Sequence, residues 1–92
     1  MRVIEAIRSK VRKGDYELTI PHFLEELAAD GLVLVDVERA VANGRVARTF
    51  TRDSRGRRYE VIGTATDGRP VGIVCRMKVT GTLLFITVYA LE

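Results

Sequence analysis

The chain has 92 residues, 47% of them apolar, and 15 basic against 12 acidic side chains give it a net charge of +3. That length makes one domain, residues 1–92, and its apolar runs stop short of the roughly 20 residues a membrane helix needs. A single Cys excludes an internal disulfide and a thiolate metal cluster, which suits a reducing, cytoplasmic setting, and the charged N-terminus MRVIEAIRSKVRKG lacks the apolar core of a signal peptide.

Residues 2 to 13 place Val3, Ile4, Ile7 and Val11 at helical spacing, which predicts a first helix ended by Gly14. Asp15 to Thr19 reads as a short extended link. Thr19 is positioned to cap a second helix, with Pro21 in its first turn, Phe23, Leu24 and Leu27 as the buried stripe and Gly31 as the left-handed stop. A third helix follows Leu32 to Val35, with Asp36 as cap or first-turn acid, Val37, Ala40 and Val41 facing inward, and Asn43-Gly44 ending it. Arg45 to Phe50 reads as a strand and TRDSRG as a polar loop.

The stretch from Arg57 to Tyr89 predicts three strands joined by tight hairpins at Asp67-Gly68, a strong turn signal, and Thr80-Gly81, a weaker one. Two-residue turns would set Thr64 opposite Val71, Ile62 opposite Ile73, Glu60 opposite Cys75 and Tyr59 opposite Arg76. They would set Met77 opposite Leu84, Cys75 opposite Ile86, Ile73 opposite Val88 and Val74 opposite Thr87. One face then carries Ile62, Ile73, Cys75, Met77, Val79, Leu84, Ile86 and Val88, interrupted by Arg58, Glu60 and Thr64, and is expected under the helices. The other carries Arg57, Tyr59, Val61, Val74, Arg76, Lys78, Leu83, Phe85, Thr87 and Tyr89, and is expected to meet solvent or a ligand. The architecture so predicted is α+β: two or three N-terminal helices on one face of a four-stranded antiparallel sheet.

Charge is unevenly spread. Arg45, Arg48, Arg52, Arg55, Arg57 and Arg58 crowd one stretch opposed only by Asp53, while Glu25, Glu26, Asp30, Asp36 and Glu38 lie in the N-terminal half. Arginine forks suit phosphates; a solvated basic strand edge is the plainer account.

Metal ligands do not cluster in the sequence, no phosphate-cradling glycine loop is present, and no cofactor is implied. Cys75 reads as a buried structural thiol. His22, beside Phe23 and Leu24, suits either a structural ring or acid–base work near neutral pH. Tyr59, Arg76 and Phe85, with Arg57 and Lys78 one row along, suit either a stacking and phosphate-binding platform for RNA or a half-exposed face dressed with cation and aromatic pairs. The same groups suit cleavage of a phosphodiester by RNA's own 2′-hydroxyl without a metal.

The stretches LTIPHFLEELAADGLVLVDVERAVANGRV, RGRRYEVIG and FITVYALE together resemble the bacterial family catalogued as domain of unknown function 4258 (DUF4258), over about residues 16 to 91. The resemblance implies a RelE/barnase-like toxin fold, similar to RelE-like ribonuclease toxins of toxin–antitoxin systems, and a small antitoxin-like partner of the zinc-finger type. The positions it matches as catalytic are His22, Arg58, Tyr59, Thr87 and Tyr89. Where the family commonly has an Arg one helical turn after the His, this chain has Glu26. The expectation is a metal-independent endoribonuclease toxin. Arg58 and Arg76 would hold the scissile phosphate, His22 or Tyr59 would be the acid or base, and Thr87 and Tyr89 would position the substrate. Arg48, Arg52, Arg55, Arg57, Arg76, Lys78 and Phe85 would bind RNA. The alternative is a noncatalytic RNA-binding or protein-interaction module on the same scaffold.

Overall fold

The computed structural model describes residues 2–52 and 54–91; Asp53, the one acid expected to oppose the basic stretch, lies outside them. The elements run α1 (Val3–Arg12), β1 (Tyr16–Leu18), α2 (His22–Ala29), α3 (Leu34–Asn43), β2 (Arg45–Phe50), β3 (Arg58–Thr64), β4 (Pro70–Met77) and β5 (Leu83–Ala90). They form an α+β domain in which three helices accompany a five-stranded mixed sheet of order β1-β5-β4-β3-β2. The predicted four-stranded antiparallel sheet is thus corrected. The expected link at Asp15–Thr19 contains β1, which pairs parallel to the start of β5. Three residues are too few to show a strand's alternation.

The three helices form where the apolar spacing puts them. Ile7 of α1, Phe23 and Leu27 of α2, and Val37, Ala40 and Val41 of α3 are buried against the sheet. Leu24, expected in the buried stripe, is 46% exposed, because α2 lies along the β5 margin and buries only a narrow i, i+4 seam. Thr19 does not cap α2 with its side chain; its hydroxyl donates to the Ile86 carbonyl (3.0 Å), while its own carbonyl accepts from Phe23 N (2.7 Å). Gly31 (φ 66°) ends α2 as expected, and Arg69 donates to the Asp30 and Gly31 carbonyls left open there. Asp36 is the first-turn acid of α3: it accepts from Val33 N (2.9 Å) and, across to the β3–β4 loop, from the Thr66 amide (3.0 Å) and hydroxyl (2.6 Å). Gly63 lets β3 pass close under α3, where a Cβ would run into the Ala40 carbonyl.

Both hairpins have three-residue loops, not two. In the first, Ala65 N donates to Arg69 O and Gly68 N to Ala65 O, with Gly68 at φ 90°; in the second, Lys78 N donates to Thr82 O and Gly81 N to Lys78 O, with Gly81 at φ 94°. A loop that closes through a glycine of positive φ adds one residue to the two-residue turn. The β3–β4 register therefore shifts by one: Gly63 faces Val71, Ile62 faces Gly72, Val61 faces Ile73, Glu60 faces Val74 and Tyr59 faces Cys75. That slip turns β3 over. Val61 and Tyr59 join the core side, while Arg58, Glu60 and Ile62 move to the opposite face.

Between β4 and β5 the pairs Ile73–Val88 and Val74–Thr87 are as expected, but a bulge follows, after which Cys75 faces Phe85, Arg76 faces Leu84 and Met77 faces Leu83. The bulge brings Leu83 and Phe85, predicted outward, into the core. Val79, predicted in the core, is fully exposed on the second loop.

Candidate functional site

With the register in place, the face away from the helices is a small grid. Two of its rows run across β2, β3, β4 and β5, Arg48–Glu60–Val74–Thr87 and Arg45–Ile62–Gly72–Tyr89; at the end where the β3–β4 ladder stops, the pairs Phe50–Arg58 and Arg76–Leu84 continue the same face. Arg58, Arg76, Thr87 and Tyr89 thus share one face. Arg58, which the predicted register turned toward the helices, belongs with the others.

At the centre Glu60 is 7% exposed, and two donors meet its carboxylate. Arg48 Nε donates to Oε1 at 3.1 Å, and the Tyr89 hydroxyl donates to Oε2. Tyr89 reaches it because β4 has no side chain at Gly72; a Cβ there would overlap the tyrosine ring. One row away, the guanidinium carbons of Arg48 and Arg58 lie 5.0 and 5.4 Å from the centroid of the Phe50 ring, within cation–π range. Beside them a cleft of ≈ 590 Å³ is lined by Phe50, Thr51, Arg52, Ser54 and Arg58. Arg76, half-buried on the same face, has no carboxylate partner among the described residues.

The β5 margin carries a second cluster. β1 covers β5 only from Leu83 to Phe85, so the amides of Val88 and Ala90 point out beyond it. Carboxylates of α2 and its C-cap take them: Glu26 Oε1 accepts from Val88 N (3.0 Å) and Asp30 Oδ2 from Ala90 N (2.8 Å). The spacings match, since four helical residues rise about 6 Å and two strand residues about 6.8 Å. Glu26 also accepts from the Thr87 hydroxyl (2.6 Å) and sits 3.2 Å from His22 Nε2. An ionised carboxylate only accepts, so Nε2 carries the hydrogen and Nδ1 is the imidazole's basic nitrogen. Glu26 therefore closes a sheet edge and orients a histidine, two tasks an arginine could not perform.

The remaining predicted residues fall elsewhere. Tyr59 packs against the core, and Phe85, expected to stack a base, is 1% exposed between Tyr16 and Phe23. Lys78 lies at the second loop and pairs with Glu17 (3.0 Å). Arg52, Arg55 and Arg57 are exposed around the β2–β3 loop, at one end of the grid. Cys75 is buried, and burial pushes its thiol up to about 12, so it is no nucleophile. Glu60, Gly72 and Phe50 were not singled out from the sequence. The signal for Glu60 was its place directly before the apolar Val61-Ile62 inside a predicted strand, where a buried acid needs donors.

The fold and this face define a small α+β domain whose sheet presents arginines, a tyrosine and a carboxylate on its uncovered side. The family model described as Domain of unknown function (DUF4258) matches residues 21–90, and the chain belongs to that family. The match spans both clusters, from His22 and Glu26 to Tyr89. No curated protein and no solved structure matches the chain.

Proposed function

We propose that the protein is a metal-independent endoribonuclease of the RelE-like, barnase-like toxin kind, which binds single-stranded RNA on the uncovered sheet face. The observation that supports this reading is Arg76: its guanidinium lies on the central strand β4, on the same face as Arg58 and without a carboxylate partner among the described residues, and such a group suits a phosphate. Thr87 with its Glu26–His22 pair lies diagonally from it on one side, and Glu60 with Tyr89 lies on the other.

In this mechanism Arg76 and Arg58 hold the scissile phosphate and neutralise the charge that develops on it. His22, oriented through Nε2 by Glu26, takes the 2′-hydroxyl proton at Nδ1 as the 2′-oxygen attacks phosphorus. The bond to the 5′-oxygen breaks, and that oxygen takes a proton from Tyr89, leaving a cyclic phosphate. Glu60 positions Tyr89 before the transfer and accepts its hydrogen bond again once the phenolate has taken a proton back from solvent. Phe50 offers a ring for a base at one end of the face.

The test is incubation of the purified protein with labelled single-stranded RNA in excess chelator, beside His22→Ala, Arg58→Ala and Arg76→Ala variants. Cleavage by the parent alone, with cyclic-phosphate ends, is the expected result; cleavage that survives all three substitutions overturns it. A second reading, RNA binding without turnover, is favoured by one observation: the hydroxyls of Thr87 and Tyr89 are both engaged with carboxylates. Retained RNA with no cutting would select it.

A further inference from the structure

We propose that the outer edge of β2 is the docking site for an extended acidic segment of a partner protein, which adds there as a further strand. The two margins of the sheet are finished differently. Beyond β1, the β5 margin is closed by Glu26 of α2 and by Asp30, its C-cap. At the other margin β2 pairs with β3 alone. Its six residues, Arg45–Phe50, span about 20 Å. Alternate amides and carbonyls there face outward, and among the described residues no backbone–backbone hydrogen bond reaches them from outside the sheet. An edge of this kind is a template for an added strand.

The surroundings select the occupant. At the Arg45 end a cleft of ≈ 370 Å³ between α1 and β2 has Val3, Ile4 and Val46 as apolar lining, with Arg2, Arg8 and Arg45 around it. At the Phe50 end lies the cleft formed with Arg52 and Arg58. Side chains of an added strand alternate between the two faces, so an apolar residue would enter the α1–β2 cleft while its neighbours meet guanidinium groups. Arg45 has no carboxylate partner among the described residues. A second copy of this chain is the wrong occupant, because edge-to-edge pairing of β2 would set arginines against arginines. The bulge at Ala47 and the charges deter indiscriminate pairing, and an acidic, alternating segment turns the same charges into attraction.

The probe is an acetylated eight-residue peptide alternating glutamate and valine, titrated by calorimetry and followed by amide exchange in the full chain. Binding in the micromolar range is expected, with exchange slowed at alternate residues of β2. N-methylating alternate peptide amides in one register should weaken binding at least tenfold, and in the other register should change it little. Arg45→Glu, checked for folding by circular dichroism, should weaken it by a similar factor. No binding, or binding indifferent to both N-methylated series, would overturn the proposal. So would an oligouridylate that displaces the peptide and itself protects β2, which would assign the edge to RNA. None of these readouts depends on nuclease activity.

Discussion

The hydroxyl of Tyr89 on β5 donates to the carboxylate of Glu60 on β3, two strands away, by crossing the bare backbone of Gly72 on β4. The arrangement joins a sequence feature, a glycine inside a strand, to a nearly buried acid that also accepts from Arg48. Tyr89→Phe should lower stability by about 1–3 kcal/mol, because Glu60 loses a donor that water cannot fully replace. Gly72→Ala should cost about the same by displacing the ring. Both changes remove one contact, so the double variant should lose clearly less than the sum in urea denaturation. Simple additivity would mean that the ring does not depend on the glycine.

Glu26 is argued above to be a sheet-edge acceptor. Glu26→Ala should destabilise the fold by about 1–3 kcal/mol, since the Val88 amide and Thr87 hydroxyl lose their acceptor. Glu26→Gln should cost less, and Glu26→Arg, which restores the residue expected from the family resemblance, at least as much as alanine. Hydrogen exchange at Val88 reads the effect locally: it should accelerate in the alanine and arginine variants, and unchanged exchange would refute the assignment.

Asp36 links stability to pH. The Thr66 hydroxyl, then the Val33 amide, hold its carboxyl below the usual carboxylate range. A pKa lower in the folded than in the unfolded chain contributes stability that is fully present above the unfolded value, about 3.9, and is lost as pH falls through the folded value. Asp36→Asn should therefore be less stable than the parent at pH 7. That gap, read from urea midpoints, should narrow as pH falls below about 4. A gap independent of pH would show that shape, not charge, sets the effect of the substitution.

Cys75 should be silent in the native protein. Its burial and the raised thiol pKa of about 12 predict no reaction with a thiol-disulfide reagent until the chain unfolds. The labelling midpoint in urea should coincide with the unfolding midpoint by circular dichroism. Rapid labelling at zero denaturant would contradict the core placement.

By itself the sequence determined the three helices and most of their buried positions, Leu24 apart, four of the five strands, the glycine stop at Gly31, the role of Asp36 and the pairs Ile73–Val88 and Val74–Thr87. These follow from local periodicity and from chemistry within a few residues. Only the tertiary structure decided which face β3 presents and what the β5 margin is made of. A glycine at a hairpin tip fits a two-residue turn or a three-residue loop equally well, and one residue of difference reverses Arg58, Tyr59 and Glu60 between the two faces. A bulge does the same to Leu83 and Phe85, and nothing in FITVY announces it. The three residues of β1 become a strand, and Glu26 an acceptor for Val88, only because β5 leaves outward amides to be met. Pairing of that kind is settled by the neighbours a segment acquires in the fold, which local spacing does not encode.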